Sequence, residues 1–358
     1  MTQSLADTPA AWTAADLRDN EPRWVFPLDD MARRDVLRAV NRLDPDADLL
    51  TLSRDAVDLG AAAPILAAAL REVRDGRGIA LLRGLPRQEL DEAAFRRLTW
   101  ALGLHAGVAR PQNRASDYLA RVRDAGSVYR SAGGRGYSSN AELDFHTDSA
   151  DVVMLACFNP AREGGQSMVT SSVAAHAVLV DEAPDLAEAL HQTFWFSRQT
   201  EQAADESPAY PNPIFDSADG LLCSKWNRNR IRTAQQIEGV PPLSGMQRAA
   251  MDALDEVLRR PALMHAMYLR PGDVQILNNH VTLHSRTEFV DHEEPARKRL
   301  LFRLWLATPD SPRLPESWRP AYRSVAPGTV RGGIRGQAYD AHRRAFESRQ
   351  AAALGMTS

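Results

Sequence analysis

Short apolar and β-branched runs recur between residues 118 and 307, with turn-forming residues between them. The runs are YLARV, DVVMLACF, GGQSMVTSS, FWFS, MHAMYL, DVQIL and LLFRLWLA. Short runs separated by Gly, Pro, Asn and Asp are typical of all-β barrels and sandwiches. The sequence therefore predicts a mainly β protein with flanking helices, of the α+β class.

Helical patterns flank and interrupt this β region. The stretch APILAAALREVRDGRG has apolar residues at helical spacing and ends in glycine. Ser244 and Gln247 have the spacing of a capping box at the start of another helix. We expect one structural domain with three parts: an N-terminal helical region (1–75), a β core (76–308) with a lid insertion (about 187–240), and a C-terminal tail and helix (309–358).

Composition narrows the class of partner. The formal net charge of −3 over 358 residues gives no reason to expect nucleic acid. No apolar run approaches the ~20 residues of a membrane span, and the N-terminus has no leader pattern, so we expect a cytoplasmic protein. Cys157 and Cys223 lack a CxxC pattern and are expected to be buried hydrophobes. A small molecule is the expected partner, and a homo-oligomer stays open.

Four polar residues alternate along the stretch AELDFHTDSAD. On a strand, Glu142, Asp144, His146 and Asp148 would all point to one face. His146 and Asp148 form an H-x-D pair that needs a third ligand from elsewhere to hold a metal. Two histidines and one carboxylate are the usual host for non-haem Fe(II), and they leave positions for a chelating co-substrate and O2. Alternation alone leaves open which carboxylate joins His146.

The third ligand is expected in RPGDVQILNNHVTLHSRTEF. Here a Pro-Gly turn precedes a predicted strand that ends in His280 and His284, and either histidine could reach the metal. Their spacing resembles the H-x-x-x-H of helical zinc proteases. The glutamate that such sites use as general base is missing, and Val281 and Thr282 favour extended chain, which argues against a zinc protease.

Two arginines alternate with apolar residues in RKRLLFRLWLA. On a strand, Arg299, Leu301, Arg303 and Trp305 share one face. Guanidinium groups bind carboxylates through paired hydrogen bonds, so this face suits a dicarboxylate co-substrate or an acidic substrate. Pairing with the protein's own Asp or Glu residues is the alternative.

The order of the motifs FHTD, GGQSMVTSS, PGDVQILNNHVTLHSRT and RKRLLFRLWL resembles the taurine dioxygenase-like (TauD/TfdA) family of Fe(II)- and 2-oxoglutarate-dependent oxygenases. The resemblance covers roughly residues 79–306. It implies a core folded as a double-stranded β-helix, or jelly roll, which agrees with the strand pattern. It also implies that Fe(II), 2-oxoglutarate and O2 take part in the reaction.

The resemblance also implies roles for individual residues. His146, Asp148 and His284 correspond to the iron ligands. Arg299 corresponds to the arginine that binds the distal carboxylate of 2-oxoglutarate. Ser167 stands where the family commonly has a threonine that assists that carboxylate, and Arg303 resembles a second arginine near the C1 carboxylate. His280 is then expected to be a hydrogen-bonded structural residue.

The family's reaction hydroxylates an unactivated C–H bond and releases succinate and CO2. We expect a small polar substrate here, either an amino acid or a small carboxylate or sulfonate. Desaturation or cyclisation by the same iron-centred oxidation is one alternative. A cupin-like metal hydrolase or isomerase, or a non-catalytic jelly-roll binding protein, is another, but Arg299 would then have no assigned task.

Two stretches are candidates for substrate contact. The first, SKWNRNRIRTA, lies in the expected lid, and its arginines suit a carboxylate, sulfonate or phosphonate, with a solvated basic lid as the alternative. The second precedes the iron motif, where an inward acidic residue would suit an amino group. The candidates are Tyr137, Asn140, Glu142, Asp144, Asn227, Arg228 and Arg230.

Overall fold

The structure is a computed structural model that describes residues 8–127, 129 and 136–358. Its α-helices in these ranges are α1 (Ala14–Asp19), α2 (Glu21–Trp24), α3 (Asp30–Asn41), α4 (Ala62–Asp75), α5 (Glu92–Ala106), α6 (Ser172–Glu182), α7 (Pro184–Ala189), α8 (Arg228–Ala234), α9 (Gly245–Leu258), α10 (Arg319–Tyr322) and α11 (Ala341–Ala353). Its strands are β1 (Val25–Pro27), β2 (Ile79–Arg83), β3 (Val108–Arg110), β4 (Leu119–Val122), β5 (Val152–Asn159), β6 (Glu163–Gly164), β7 (Ser167–Ser171), β8 (Thr193–Ser197), β9 (Ala209–Pro213), β10 (Phe215–Ala218), β11 (Leu221–Ser224), β12 (His265–Met267), β13 (Val274–Asn278), β14 (Thr282–Arg286), β15 (Phe289–Val290) and β16 (Leu300–Ala307).

Two β-sheets form the centre of the fold. The larger sheet has the order β1-β2-β13-β5-β16-β3, and β4 also pairs with β16. The smaller sheet has the order β12-β7-β14. Neighbouring strands are antiparallel except β1 and β2, which run parallel. Because β13 and β14 are consecutive yet belong to different sheets, the chain passes from one sheet to the other at residues 279–281.

Strand β16 shows how alternation builds the layers. Leu300, Phe302, Leu304 and Leu306 pack in the apolar core beneath helices α3, α4 and α5. Leu301 and Trp305 face the other way and pack in a second core with Val169 of the smaller sheet. Both faces of the strand are buried, which explains its nearly continuous apolar sequence. The predicted division of RKRLLFRLWLA into two faces is confirmed.

The outer face of the smaller sheet is covered by helices. Met168 and Leu283 pack in a third core with residues of α6 and α9. Helix α9 begins at the predicted capping box: the Ser244 hydroxyl accepts a hydrogen bond from the Gln247 amide at 3.0 Å, and the Gln247 side chain accepts one from the Ser244 amide at 3.0 Å. The cap satisfies two amides that a helix start otherwise leaves unpaired.

The two ends of the chain pack onto this core. The N-terminal region is largely helical as expected, but its residues Val25–Pro27 form strand β1. A three-residue run ending in proline gives almost no strand signal, since its partner lies more than fifty residues away at β2. In the C-terminal tail, the side chains of Arg331 and Phe346 are almost fully buried.

The two cysteines lie where the sequence predicts. Cys157 and Cys223 are buried and free, and burial raises the pKa of each thiol to about 12. Among the described helices, none combines the length and apolar character needed to cross a membrane.

Candidate active site

His146, Asp148 and His284 come together between the two sheets. One ligand-capable atom from each side chain lies within 4.8 Å of the others. His284 lies on β14, and its backbone exchanges two hydrogen bonds of 3.0 Å with that of His146. This reciprocal bridge places the two imidazole rings 4.4 Å apart. Two neighbouring segments, distant in sequence, therefore converge on one point.

The segment that carries His146 and Asp148 is not a continuous strand, in contrast to the strand considered from the sequence. It makes isolated bridges at His146 only. The Thr147 amide donates to the Trp226 carbonyl at 2.8 Å, and the Asp148 amide donates to the Asn279 side chain at 3.0 Å. Because successive amides bond to different elements, no strand ladder continues, and the expected alternation does not extend back to Glu142.

Asp148 is a buried carboxylate, and one of its two oxygens accepts no hydrogen bond from the described residues. Its Oδ1 accepts a long hydrogen bond of 3.5 Å from Arg303, while Oδ2 lies 3.7 Å from Nε2 of His284 and has no hydrogen-bond partner. Burial opposes ionisation of this group, but the positive charge of Arg303 holds its pKa below the ordinary value. An ionised, unsatisfied oxygen facing two imidazoles is what a cation site requires.

Both histidines can present a neutral nitrogen to a metal. The contact of 2.8 Å between Nδ1 of His146 and the Asp144 carbonyl assigns the proton to Nδ1, which leaves Nε2 as the ligand atom. Burial lowers the pKa of His284 to about 3. His284 is therefore uncharged at neutral pH, in the form that ligates metals.

His280 lies away from the triad. The predicted single strand ending in both histidines is wrong, because the chain turns at residues 279–281 between β13 and β14. His280 instead contacts the Asp151 carboxylate at 2.9 Å, and both side chains are 1% exposed. Arg331 of the C-terminal tail donates to the same carboxylate at 2.8 Å. These contacts give His280 the hydrogen-bonded structural position expected for it.

Arg299 and Arg303 of RKRLLFRLWLA line the same cavity as the triad. Arg303 donates to Gln112 at 2.7 Å and lies over the Tyr137 ring at 5.2 Å. Arg299 is buried, its Nη1 has no hydrogen-bond partner, and in the described residues no carboxylate lies within 4.0 Å of its guanidinium. Burial lowers the pKa of Arg299 to about 10, so it still carries its charge at neutral pH.

Ser167 and Arg286 lie side by side near Arg299. They are paired residues on β7 and β14, and both line the cavity. The Ser167 hydroxyl donates to Gln275 at 2.8 Å. Burial, and then repulsion from Arg299, lowers the pKa of Arg286 to about 9. The sequence analysis missed Arg286, although its position two residues after His284 on a strand predicts that it shares the ligand's face.

Three of the seven substrate candidates line the cavity: Tyr137, Asn227 and Arg230. The cavity encloses about 130 Å³. Arg230 donates to the Ser197 carbonyl at 3.0 Å and lies 3.5 Å from the Glu201 carboxylate. Glu201, from the loop after β8, also lines the cavity and was not predicted.

The other four candidates bond elsewhere and are not among the described residues that line the cavity. Asn140 accepts a backbone hydrogen bond from Phe289 at 3.1 Å. Glu142 and Asp144 both lie near Arg259, at 2.5 and 3.8 Å, and the Asp144 carboxylate also accepts a hydrogen bond from the Tyr129 hydroxyl at 3.3 Å. Arg228 forms salt bridges with two carboxylates on α9, Asp252 at 2.5 Å and Asp255 at 2.8 Å.

Solved structures share this fold. An asparagine oxygenase, crystallised with Fe(II), 2S,3S-3-hydroxyasparagine and succinate, aligns with a TM-score of 0.61 and 20% identity, covering 80% of this chain and 94% of that one. The non-heme iron oxygenase OrfP, crystallised with Fe and alpha-ketoglutaric acid, aligns with a TM-score of 0.57 and 15% identity, over 79% and 94% of the two chains. These likenesses confirm the expected jelly-roll fold.

Sequence relatives point the same way. FR-33289 synthase of Streptomyces rubellomurinus (strain ATCC 31215) is 31% identical over 313 residues, which cover 86% of this chain and 92% of the relative. A uridine-5'-phosphate dioxygenase from an Amycolatopsis species is 28% identical over 182 residues, 49% of this chain and 64% of the relative. The sequence profile of the family described as "Taurine catabolism dioxygenase TauD, TfdA family" matches residues 42–305. This chain therefore belongs to the TauD/TfdA family and is an Fe(II)- and 2-oxoglutarate-dependent dioxygenase.

Proposed function

We propose that this protein hydroxylates an unactivated C–H bond of a small polar metabolite that carries an acidic group, with His146, Asp148 and His284 as the iron ligands. The observation that carries the proposal is the convergence of these three side chains beside the cation of Arg299, for which the described part of the chain provides no carboxylate partner. When bound, iron and 2-oxoglutarate supply the oxidation of the C–H bond, with release of succinate and CO2.

The residues of the cavity fit both Fe(II) and 2-oxoglutarate. Oδ2 of Asp148, which has no hydrogen-bond partner among the described residues, and the imidazoles of His146 and His284 form the two-histidine, one-carboxylate donor set that suits Fe(II). Arg299, whose Nη1 is buried without a partner, suits the distal carboxylate of 2-oxoglutarate, and Ser167 can turn its hydroxyl toward the same group. Arg303 holds Oδ1 of Asp148 and is assigned to the C1 carboxylate, as the resemblance implies.

The charges of the cavity favour an acidic substrate. Its described lining contains four arginines and two carboxylates, Asp148 and Glu201. The charges of Fe(II) and the 2-oxoglutarate dianion cancel, so two positive charges remain for the substrate to neutralise. Glu142 and Asp144, our candidates for binding an amino group, face Arg259 instead. An acid of the carboxylate, sulfonate or phosphonate class therefore fits better than an amino acid.

Arg230 is the proposed substrate-binding arginine. It lines the cavity from the N-terminal turn of α8, and Asn227 caps that helix by accepting from the Arg230 amide at 3.0 Å. Its pairing with Glu201 is long, at 3.5 Å, so an incoming acid can compete for the guanidinium. Cytoplasmic location and homo-oligomerisation stay predictions.

A screen of succinate release tests the proposed reaction. Matched sets of small carboxylates, sulfonates, phosphonates and amino acids are supplied with Fe(II), 2-oxoglutarate and O2. We expect an acid to couple succinate release to a product heavier by one oxygen atom, and Arg230→Gln to raise the KM for that acid while leaving the KM for 2-oxoglutarate unchanged. A product lacking two hydrogens would instead support desaturation or cyclisation. Turnover confined to amines or neutral compounds would contradict the proposed substrate class.

A further inference from the structure

Two buried arginines at one end of the cavity have no carboxylate partner among the residues that the structure describes. Arg286 and Arg299 are each 5% exposed, and their guanidinium carbons lie 4.6 and 5.0 Å from the centre of the Phe289 ring. In the described part of the chain neither guanidinium has a carboxylate within 4.0 Å, and Nη1 of each is buried without a hydrogen-bond partner. Two like charges buried around one ring need an anion nearby, because unpaired buried charge is costly.

The position of Arg286 relates it to the candidate co-substrate site. On β14 it lies two residues after His284, and its partner across the sheet is Ser167. Alternate residues of a strand share a face, and directly opposite residues have Cβ atoms about 5 Å apart. Arg286, Ser167 and Arg299 therefore surround the same end of the cavity.

One other nitrogen of Arg286, Nη2, holds the segment that leads to the iron motif, while Nε donates to the Thr287 carbonyl at 3.2 Å. Nη2 donates to the Ser139 carbonyl at 2.9 Å and to the Ala141 carbonyl. The backbone of the same segment is bonded to β14, since the Leu143 amide donates to the Arg286 carbonyl at 3.0 Å. The Arg286 guanidinium thus contacts the carbonyls of residues 139 and 141 through Nη2. Its Nη1, beside Arg299, has no hydrogen-bond partner among the described residues.

We infer that Arg286 is a positioning residue that binds the distal carboxylate of 2-oxoglutarate together with Arg299 and thereby couples co-substrate binding to the order of residues 139–143. The planar guanidinium can donate in two directions at once, whereas a lysine ammonium supplies the charge without that fixed geometry. The inference rests on the proposed function of the site.

The test uses Fe(II)-loaded protein with oxygen excluded. Calorimetry measures the affinity for 2-oxoglutarate, and amide hydrogen exchange measures the protection of residues 139–143 with and without it. In the wild type, we expect 2-oxoglutarate to slow exchange in this segment. Arg286→Lys and Arg286→Gln should each weaken 2-oxoglutarate binding by about tenfold or more and abolish this protection. Fe(II) affinity and exchange in β13 should stay at the wild-type values.

Arg259→Gln is the matched control, since Arg259 lies outside the described lining and contacts the same segment through Glu142. It should loosen the segment but weaken 2-oxoglutarate binding far less than the Arg286 variants do, because the Arg286 guanidinium is kept and only the cost of ordering the segment rises. Wild-type affinity in both Arg286 variants, or protection that persists in them, would overturn the inference. A wild-type protein that binds no 2-oxoglutarate would instead reject the proposed function.

Discussion

At the scale of single residues, the iron motif depends on Asp148 rather than on the other carboxylates near it. Asp148→Ala removes the ionised oxygen that faces both imidazoles, so we expect Fe(II) affinity to fall by more than about a hundredfold and iron-dependent turnover to vanish. Equilibrium Fe(II) binding and succinate release measure the two effects.

Asp144→Ala is the control for that prediction. The group that orients His146 is the Asp144 backbone carbonyl, which the substitution keeps. Iron binding should therefore stay near the wild-type value. If Asp144→Ala abolished iron binding while Asp148→Ala did not, the assignment of the ligand carboxylate would be wrong.

Sequence could identify these residues only in part. Alternation placed Arg303 on the cavity-facing side of β16, whose other face is covered by helices, and Arg299, just before the strand, lines the same cavity. It failed for Glu142 and Asp144, because the segment around His146 takes its hydrogen bonds from Trp226 and Asn279. Such long-range bonds leave no periodic signal in the sequence. The choice of Asp148 came from motif order, which reflects the family and not local geometry.

At the scale of elements, the Pro-Gly turn before β13 requires glycine. Gly272 has φ of +87°, and a Cβ at this position would overlap the Leu85 carbonyl oxygen. Gly220 has φ of +81° but open space around it. An alanine there would therefore show the cost of the backbone conformation alone, without a steric clash. We expect Gly220→Ala to lower the free energy of unfolding by about 1 kcal/mol and Gly272→Ala by about 3 kcal/mol. Equal losses in chemical denaturation would contradict the proposed contact with Leu85.

The contact between α6 and the turn after α7 predicts a dependence of stability on pH. Nε2 of His176 lies 2.8 Å from Nε2 of His191, and burial, with the neighbouring charge of His191, lowers the pKa of His176 from 6.5 to about 4. Between these values the unfolded chain binds more protons than the folded one, so stability falls as pH decreases from about 6.5 to about 4.

The expected loss is on the order of 3 kcal/mol, and His176→Gln should remove it. Denaturation of both proteins across this pH range measures the difference. An unchanged pH profile in the variant would show that the pKa of His176 does not differ between the folded and the unfolded chain.

At the scale of the whole molecule, the site lies between two sheets whose strands come from distant parts of the chain. The expected strands, the capped helix and the C-terminal helix are present where the runs predicted them. Strand β1 was missed because it is three residues long, and the pairing of β14 with β7 leaves no local trace. The layers could be predicted from periodicity, whereas the contacts that orient the site could not.

Binding between the sheets should stabilise the whole fold. With Fe(II) present and oxygen excluded, 2-oxoglutarate at a hundredfold excess over its Kd should raise the free energy of unfolding by about 2.7 kcal/mol. In Arg299→Gln the buried cation opposite the distal carboxylate is lost, so the same concentration should give little stabilisation. Denaturation curves with and without 2-oxoglutarate measure the stabilisation. Equal stabilisation of the wild type and the variant would show that Arg299 does not bind 2-oxoglutarate.

The central claim is that one cavity holds Fe(II) on His146, Asp148 and His284 and 2-oxoglutarate beside Arg299. Anaerobic titration with Fe(II) and then 2-oxoglutarate tests it most directly, because the chelate has a weak visible charge-transfer band that neither component shows alone. We predict a band that saturates at one 2-oxoglutarate per iron in the wild type and is lost in Asp148→Ala. Intact Fe(II) binding with no band on addition of 2-oxoglutarate would contradict the account.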